Sequence, residues 1–245
     1  MARITIFHTS DMHNKLTAKL AARLHDLKSE VSDSIMLDSG DAIWAGNIYW
    51  RPGGEPALEL MNSVPYDAIS MGNREFHFMA IGVDSKTSKA DFHVMSANIR
   101  SSKADHTLKI PSHIILERAG VRIAVIGLSV PCITEKMLVK KVSDYYFVPP
   151  IEAAAEIVTK LRKDADVVVA LTHIGIKADR ELAESVSGID IILGGHAHVL
   201  AEEQVGGTWI FHHGFYANYV GRVEIDIDSG HITDVSNELM PLAKA

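Results

Sequence analysis

The sequence is short of the features that mark several protein classes. It holds one cysteine, Cys132, in 245 residues, so an internal disulfide framework is excluded and a reducing compartment is expected. Basic residues are outnumbered, 24 Lys and Arg against 31 Asp and Glu, for a formal net charge of -7. No run of Lys or Arg supplies the electrostatic footprint of a general nucleic-acid binder, so no nucleic acid polymer is expected as a partner. No apolar window approaches a membrane span, so no membrane partner is expected either. The first residues, MARITIFHTSD, enter a strand at once, with neither an apolar core of signal-peptide length nor a small-residue cleavage site. Together these absences make the cytoplasm the expected location. The remaining composition, 47% hydrophobic and 22% charged, is that of a globular chain able to bury a substantial core. Histidine alone is abundant, with 13 copies whose positions need explaining.

Short apolar, β-branched runs alternate with amphipathic segments. Strands are expected at residues 3–8, 34–37, 66–70 and 92–96, with helices at 16–28, 56–62 and from about 78. Residues 114–118 and 121–128 flank Ala119-Gly120 and read as a hairpin. Pro149-Pro150 sets up a helix over 151–163. A fully apolar strand at 167–171, a helix near 178–186 and a strand at 189–193 follow, then strand-like pieces at 208–211, 220–227 and 232–235. No linker, repeat or low-complexity tract appears, so residues 1–245 are expected to form one domain. Continuous apolar strands joined by helices indicate sheets covered on both faces. The alternation of strand and helix fails between about 92 and 130 and again after 205. That favours an α/β two-sheet sandwich over a barrel, with the second sheet the more antiparallel.

In open α/β sheets, ligands gather where strands end at their carboxyl side. Here the residues after five expected strands are Asp11-Met12-His13, Asp38-Ser39-Gly40-Asp41, Gly72-Asn73, Thr172-His173 and Gly194-Gly195-His196-Ala197-His198. Each alone is an ordinary turn or a polar core residue. All five at one sheet edge bring together a mixed nitrogen and oxygen donor set, in which Asp11 and Asp41, one Asn and four His are counted. Imidazole and carboxylate suit borderline dications such as Zn, Mn, Fe or Co, and no thiolate set points to a structural zinc site. Seven side chains exceed one tetrahedral ion and suit two ions sharing a carboxylate, about 3.5–4 Å apart. Two dications and two Asp leave roughly two positive charges, a match for a phosphate dianion.

These ordered motifs resemble the calcineurin-like metallophosphoesterases, and in particular their 5′-nucleotidase branch. The stretches GDAIWAGNIYWRPGGEPALELMNSVPYDAISMGNREF, GVRIAVIGLSVP, LTHIGIKADRELAESVSGIDIILGGHAH and YANYVGRVEI carry the similarity over nearly the whole chain. The resemblance implies an αββα sandwich with helices on both outer faces. It also implies two divalent metals, one held by Asp11, His13, Asp41 and His198 and one by Asp41, Asn73, His173 and His196. Asp41 would bridge, and a hydroxide between the metals would attack a phosphomonoester, with nucleotides among the candidate substrates. Cys132 is then expected to be a small buried apolar residue.

Two departures stand out. The family reads Gly-Asn-His-Glu-Phe-Asp where this chain reads Gly-Asn-Arg-Glu-Phe-His, so Arg74 and His77 replace a His and an Asp near the phosphate. Arginine stays protonated and cannot act as a general acid, but it can grip a phosphoryl oxygen and stabilise developing charge. Arg74 is therefore expected to clamp phosphate, with His77 orienting it or supplying a proton; the competing expectation is that Arg74 faces solvent and the enzyme is feeble. In addition, the 5′-nucleotidase branch usually carries a C-terminal domain that stacks the base, whereas this chain runs to Ala245 just after the resembling region. Nucleotide specificity is accordingly not carried over, and Trp44, Tyr49, Trp50 and Arg51 are candidate substitutes, or else packing or contact residues. His212 or His213 is expected to approach phosphate, and His8 to lie in the core or behind the ligands. His25, His93, His106, His113 and His231 read as surface or loop residues, and Glu75 as a structural residue, for instance a partner in an N-terminal helix cap. Competing functions are a phosphodiesterase, for cyclic nucleotides or other diesters, and a scaffold that keeps the fold without the activity. The expected partner is a small phosphorylated substrate, and the oligomeric state is left open.

Overall fold

Alternation along the first strand, β1 (Ala2–Thr9), sets the layering. Successive side chains of a strand point to opposite faces, so Ile4 and Ile6 enter one apolar cluster while Phe7 enters another. The computed structural model describes residues 1–103 and 108–242, so His106 lies outside the described residues. After β1 come α1 (Ala18–Ser29), β2 (Ile35–Asp38), α2 (Pro56–Asn62), β3 (Ala68–Ser70), α3 (Ala80–Thr87), β4 (His93–Met95) and β5 (Ile99–Ser101). Next are β6 (His113–Arg118), β7 (Val121–Ser129), β8 (Tyr145–Phe147), α4 (Pro150–Leu161), β9 (Val167–His173), α5 (Ile176–Ser185) and β10 (Ile191–Gly194). The last strands are β11 (Leu200–Val205), β12 (Thr208–His213), β13 (Tyr219–Asp228) and β14 (His231–Pro241).

Two six-stranded sheets face each other, in the orders β14-β13-β1-β2-β3-β4 and β11-β12-β10-β9-β7-β6. Between them lies one apolar layer. Ile4, Ile6, Ile35 and Leu37 of the first sheet pack there with Val125, Val167, Val169, Leu171 and Leu193 of the second. The opposite faces are covered by helices. Leu24 of α1 and Leu58 and Met61 of α2 pack with Phe7 and Met36, while Ala154 and Val158 of α4 and Leu182 of α5 pack with Ala124, Val168 and Ile192. The arrangement is the expected αββα sandwich with mixed sheets. Because both faces of each sheet are buried, the central strands carry continuous apolar runs rather than alternating ones.

Local signals placed most helices. Thr17 caps α1 by accepting the Leu20 N–H, Pro56 opens α2 and Pro150 opens α4. The expectation of a more antiparallel second sheet is corrected. Each sheet has three parallel and two antiparallel pairings. The strands at the C-terminal end do not build a sheet of their own. β13 pairs with β1 from Ala2↔Ile227 to His8↔Gly221, and β14 extends that edge. β11 was not anticipated; its LAEEQV sequence puts acidic residues on an edge strand, a composition that discourages further pairing. Among the described residues no helix is long and apolar enough to cross a membrane.

Candidate metal centre

Parallel pairing of β1 with β2 and of β2 with β3 makes their carboxyl ends leave the sheet side by side. The first two exit loops are then zipped together: Asp11 N–H donates to Gly40 O at 3.0 Å, His13 N–H to Asp41 O at 2.9 Å and Asn14 N–H to Ala42 O at 2.9 Å. Asp11, His13, Asp41, His196 and His198 all have positive φ, between 45° and 74°. Such backbone is costly for residues other than glycine, roughly 1–3 kcal/mol each, and persists where surrounding contacts impose it.

The side chains converge. Asp11 Oδ1 lies 3.3 Å from His198 Nε2 and 3.9 Å from His13 Nε2. The His13 and His198 Nε2 atoms are 3.0 Å apart. Asp41 faces two ways, with Oδ1 3.4 Å from His173 Nε2 and Oδ2 3.9 Å from His13 Nε2. Asp11, His13 and His198 form one group able to hold a cation, and Asp11, Asp41 and His173 another. His196 completes the row, its ring centroid 5.0 Å from that of His173 and its backbone N–H donating to Asp11 Oδ2 at 2.9 Å.

The donor atoms fit divalent metal. His173 Nδ1–H donates to Ser39 O at 2.8 Å, which orients the ring and turns Nε2 toward Asp41. That Nε2 and Asn73 Oδ1 are buried without a hydrogen-bond partner, an uncommon condition for buried polar atoms. Burial keeps His13 below its ordinary pKa and so neutral, as a ligand must be. Burial also opposes charge on His173, but the adjoining Asp41 carboxylate outweighs it and pushes the imidazole up to about 9. Burial likewise disfavours the Asp41 anion, and the His173 contact outweighs that and lowers its pKa. The pocket thus attracts positive charge of either kind, proton or dication.

Glu75 holds the frame, and its expected role as a helix cap partner is corrected. The buried carboxylate accepts the N–H groups of Asp41 at 2.9 Å, Gly72 at 2.9 Å and Ile43 at 3.3 Å, while the next helix begins only at Ala80. Burial, then the neighbouring Asp41, push Glu75 up to about 7. Gly72 is required beside it, because a Cβ there would sit 2.3 Å from Asp41 Oδ1. Lys86 is fully buried and its Nζ donates to the carbonyls of Gly46, Arg74 and Phe76 at 2.6–2.8 Å, tying the aromatic loop to the Asn73-Arg74 turn. Burial pushes its ammonium down to about 8.

Arg74 stands beside the cluster. Its backbone N–H donates to Asp41 Oδ1 at 2.8 Å, its Nε is 3.7 Å from Asp41 Oδ2, and its guanidinium lies 5.3 Å from the Trp44 ring centroid. Trp44, Tyr49, Arg51, Glu55 and Arg74 line a cavity of about 380 Å³ next to it. His77 is elsewhere. It is buried edge-on to Trp50 and stacked on Phe78, with Nδ1 accepting the Met79 N–H at 2.9 Å. Among the described residues no hydrogen bond or ion pair joins His77 to Arg74. His212 also turns away, its Nε2 2.8 Å from the buried Asp179 carboxylate. Cys132 is half-buried, and burial pushes its thiol up to about 12. His25, His93 and His231 are exposed and His113 is half-buried.

Sequence reasoning missed three contributors. Tyr216 and Phe215 wall the histidines, Phe215 stacking on His198 at 4.9 Å and Tyr216 meeting His13 edge-on at 5.6 Å. Their signal was positional, since they follow the carboxyl end of β12 as the other site residues follow theirs. Ser39, the third, acts through its carbonyl, which no sequence pattern reports.

Known proteins resemble this chain in sequence and in fold. The chain is 29% identical to the trifunctional nucleotide phosphoesterase protein YfkN of Bacillus subtilis, over 96% of this chain and 19% of that protein. It is 31% identical to a probable 5′-nucleotidase of Treponema pallidum, over 83% of this chain and 38% of the relative. Such curated relatives are longer, and the chain spans about half of their length or less. The fold superimposes on a 5′-nucleotidase precursor from Thermus thermophilus with a TM-score of 0.82 at 22% identity, covering 98% of this chain and 54% of the other. The family profile of the calcineurin-like phosphoesterases matches residues 4–200, from β1 to beyond both histidines that follow β10. By that match over most of its length, the chain belongs to the calcineurin-like phosphoesterase family.

Proposed function

We propose that the chain is a metal-dependent phosphoric ester hydrolase that cleaves phosphomonoesters, nucleotides among them. The observation that carries this reading is the two-way aim of Asp41, whose oxygens face His173 on one side and His13 on the other. In this reading Asp11, His13, Asp41 and His198 hold one divalent ion, and Asp41, Asn73, His173 and His196 hold a second, with Mn, Zn, Fe or Co as candidates. When bound, such a pair supplies Lewis-acid charge and an activated water for in-line displacement. The protein's own groups do the rest. Glu75 and Lys86 keep the two exit loops in register, and Ser39 orients His173. Arg74 reaches from Asp41 to the cavity, where it can grip a phosphoryl oxygen while Trp44 and Arg51 face the leaving group. The names of the relatives, nucleotide phosphoesterase and 5′-nucleotidase, support a nucleotide in that cavity. His77 and His212 are held by Met79 and Asp179, and this reading gives them packing roles rather than contact with substrate.

The test is hydrolysis of p-nitrophenyl phosphate, bis-p-nitrophenyl phosphate and a nucleoside monophosphate with Mn or Zn supplied. The monoesters should turn over faster than the diester and only with metal. A preference for the diester would assign a phosphodiesterase, and inertness with every metal would assign a scaffold.

Arg74 makes a further expectation specific. A guanidinium stabilises charge but gives no proton to the departing oxygen, so esters with good leaving groups should be favoured strongly. Arg74→His restores a proton donor and should lower the rate ratio of p-nitrophenyl to alkyl phosphate by about tenfold or more, a modest share of what general acids contribute. Equal changes across leaving groups of graded pKa would remove Arg74 from the chemistry.

A further inference from the structure

Behind the candidate metal centre lie two histidines that the proposed reaction does not use. His8 belongs to β1 in the first sheet and His213 to β12 in the second, and their Nδ1 atoms are 2.7 Å apart with both rings buried. The core is shaped for this contact. Gly221, paired directly with His8, leaves the space, since a Cβ there would come within 2.1–2.3 Å of three atoms of the His213 ring.

The contacts continue in both directions. Inward, His8 Nε2 is 2.7 Å from Ser39 Oγ, and the carbonyl of the same Ser39 receives the His173 Nδ1–H at 2.8 Å. Outward, His213 Nε2 is 2.9 Å from Asn237 Oδ1, and Asn237 Nδ2–H donates to Glu202 Oε2 at 2.9 Å. A line of polar contacts therefore runs from an exposed carboxylate to the residue that orients a proposed metal ligand, and it crosses between the sheets three times.

The direction of the line follows from donor counting. Glu202 accepts only, so Asn237 must present its amide N–H₂ to Glu202 and its carbonyl oxygen to His213. His213 then carries its proton on Nε2 and leaves Nδ1 bare. Burial holds both rings neutral, His213 down to about 4 and His8 well below its ordinary value. The proton between the rings accordingly belongs to His8 Nδ1, which leaves His8 Nε2 bare to accept the Ser39 hydroxyl. The Ser39 hydroxyl also lies 2.7 Å from Leu193 O, so its one proton is shared between His8 Nε2 and that carbonyl, and every other contact along the line is satisfied by this arrangement. Turned the other way, two acceptors would meet at Asn237. Two imidazoles in an apolar interior are costly compared with aliphatic packing, which argues for a task beyond filling space.

We infer that His8, His213 and Asn237 are positioning residues for His173, acting through Ser39 in a hydrogen-bond relay whose direction Glu202 sets. The inference rests on the two-metal reading, in which the orientation of His173 governs one of the two ions. Outer partners of ligating histidines typically govern metal affinity by tenfold or more.

The experiment titrates Mn into the metal-free protein, measuring stoichiometry and the affinity of each ion, with thermal stability recorded alongside. His213→Ala should weaken one ion by about tenfold and leave the other nearly unchanged. His213→Gln, which can donate and accept at similar reach, should recover most of that affinity. Should His213→Ala fail to fold, Asn237→Leu, at a half-buried edge position, should weaken the same ion by about threefold. Both ions bound as tightly in the variants as in the wild type, whatever the loss of thermal stability, would reduce the relay to packing. Absence of Mn binding by the wild type would instead overturn the two-metal reading and the relay with it.

Discussion

Asp41→Asn is expected to cut hydrolysis of a phosphomonoester by about 10⁴-fold, on the order of 5 kcal/mol of transition-state stabilisation. Asparagine keeps the size of the side chain, and its carbonyl can still accept the Arg74 N–H that Asp41 Oδ1 accepts at 2.8 Å. The fold should therefore survive. What is lost is the second acceptor oxygen and a full negative charge. The amide nitrogen would stand where Oδ2 now faces His13 Nε2 at 3.9 Å, and an N–H₂ group repels a cation. Metal content should fall with activity, and KM for the monoester should change less than kcat. Rates within tenfold of the wild type would mean that Asp41 does not serve two ions.

Glu75→Ala is expected to destabilise the protein by roughly 4 kcal/mol, because removing one side chain strands three buried N–H groups at about 1–3 kcal/mol each. Asp41, Ile43 and Gly72 all lose their acceptor together. Against a usual total of about 5–15 kcal/mol, that loss is large, and it falls on the backbone that carries Asp41. Glu75→Gln separates charge from shape. Burial and Asp41 raise the carboxyl from 4.5 to about 7, so between those values the folded chain holds a proton that the unfolded chain has released. The stability this gives is fully present below pH 4.5 and is lost as pH rises to 7, roughly 3 kcal/mol in all. His213 runs the other way. Burial lowers it from 6.5 to about 4, so its contribution is present above pH 6.5 and is lost as pH falls toward 4. The quantity to read is therefore the difference between wild-type and Glu75→Gln denaturation curves, without metal, at pH 4.5 and 7. The cost of the substitution should shrink by roughly 3 kcal/mol across that interval. A constant difference would show that Glu75 does not titrate there.

Much of the candidate site was legible because its chemistry follows the chain's own punctuation. Asp11, Asp41, Asn73, His173 and His196 each come directly after an apolar run, and parallel pairing delivers those ends to one edge. What sits around them was not legible, since it depends on distant partners. His8 and His213 are 205 residues apart in the chain. His212 and His213 are adjacent, and strand alternation sends one to Asp179 and the other to His8. No periodicity says which face of an edge-proximal strand will meet the other sheet. Glu75 had the local look of a helix start, yet three backbone donors from two exit loops converge on it. For the fold, apolar runs marked the central strands, whereas β5 and β8, three residues each, are too short to show a pattern. The pairing of β13 with β1 was hidden because it joins the two ends of the described chain.

The central claim is that one carboxylate, Asp41, holds two cations side by side. It is tested most directly by electron paramagnetic resonance during Mn titration of the metal-free protein. The account predicts two ions per chain with an exchange-coupled multiline spectrum, replaced in Asp41→Asn by the six-line signal of isolated Mn. A single ion per chain, or two that never couple at saturation, would contradict it.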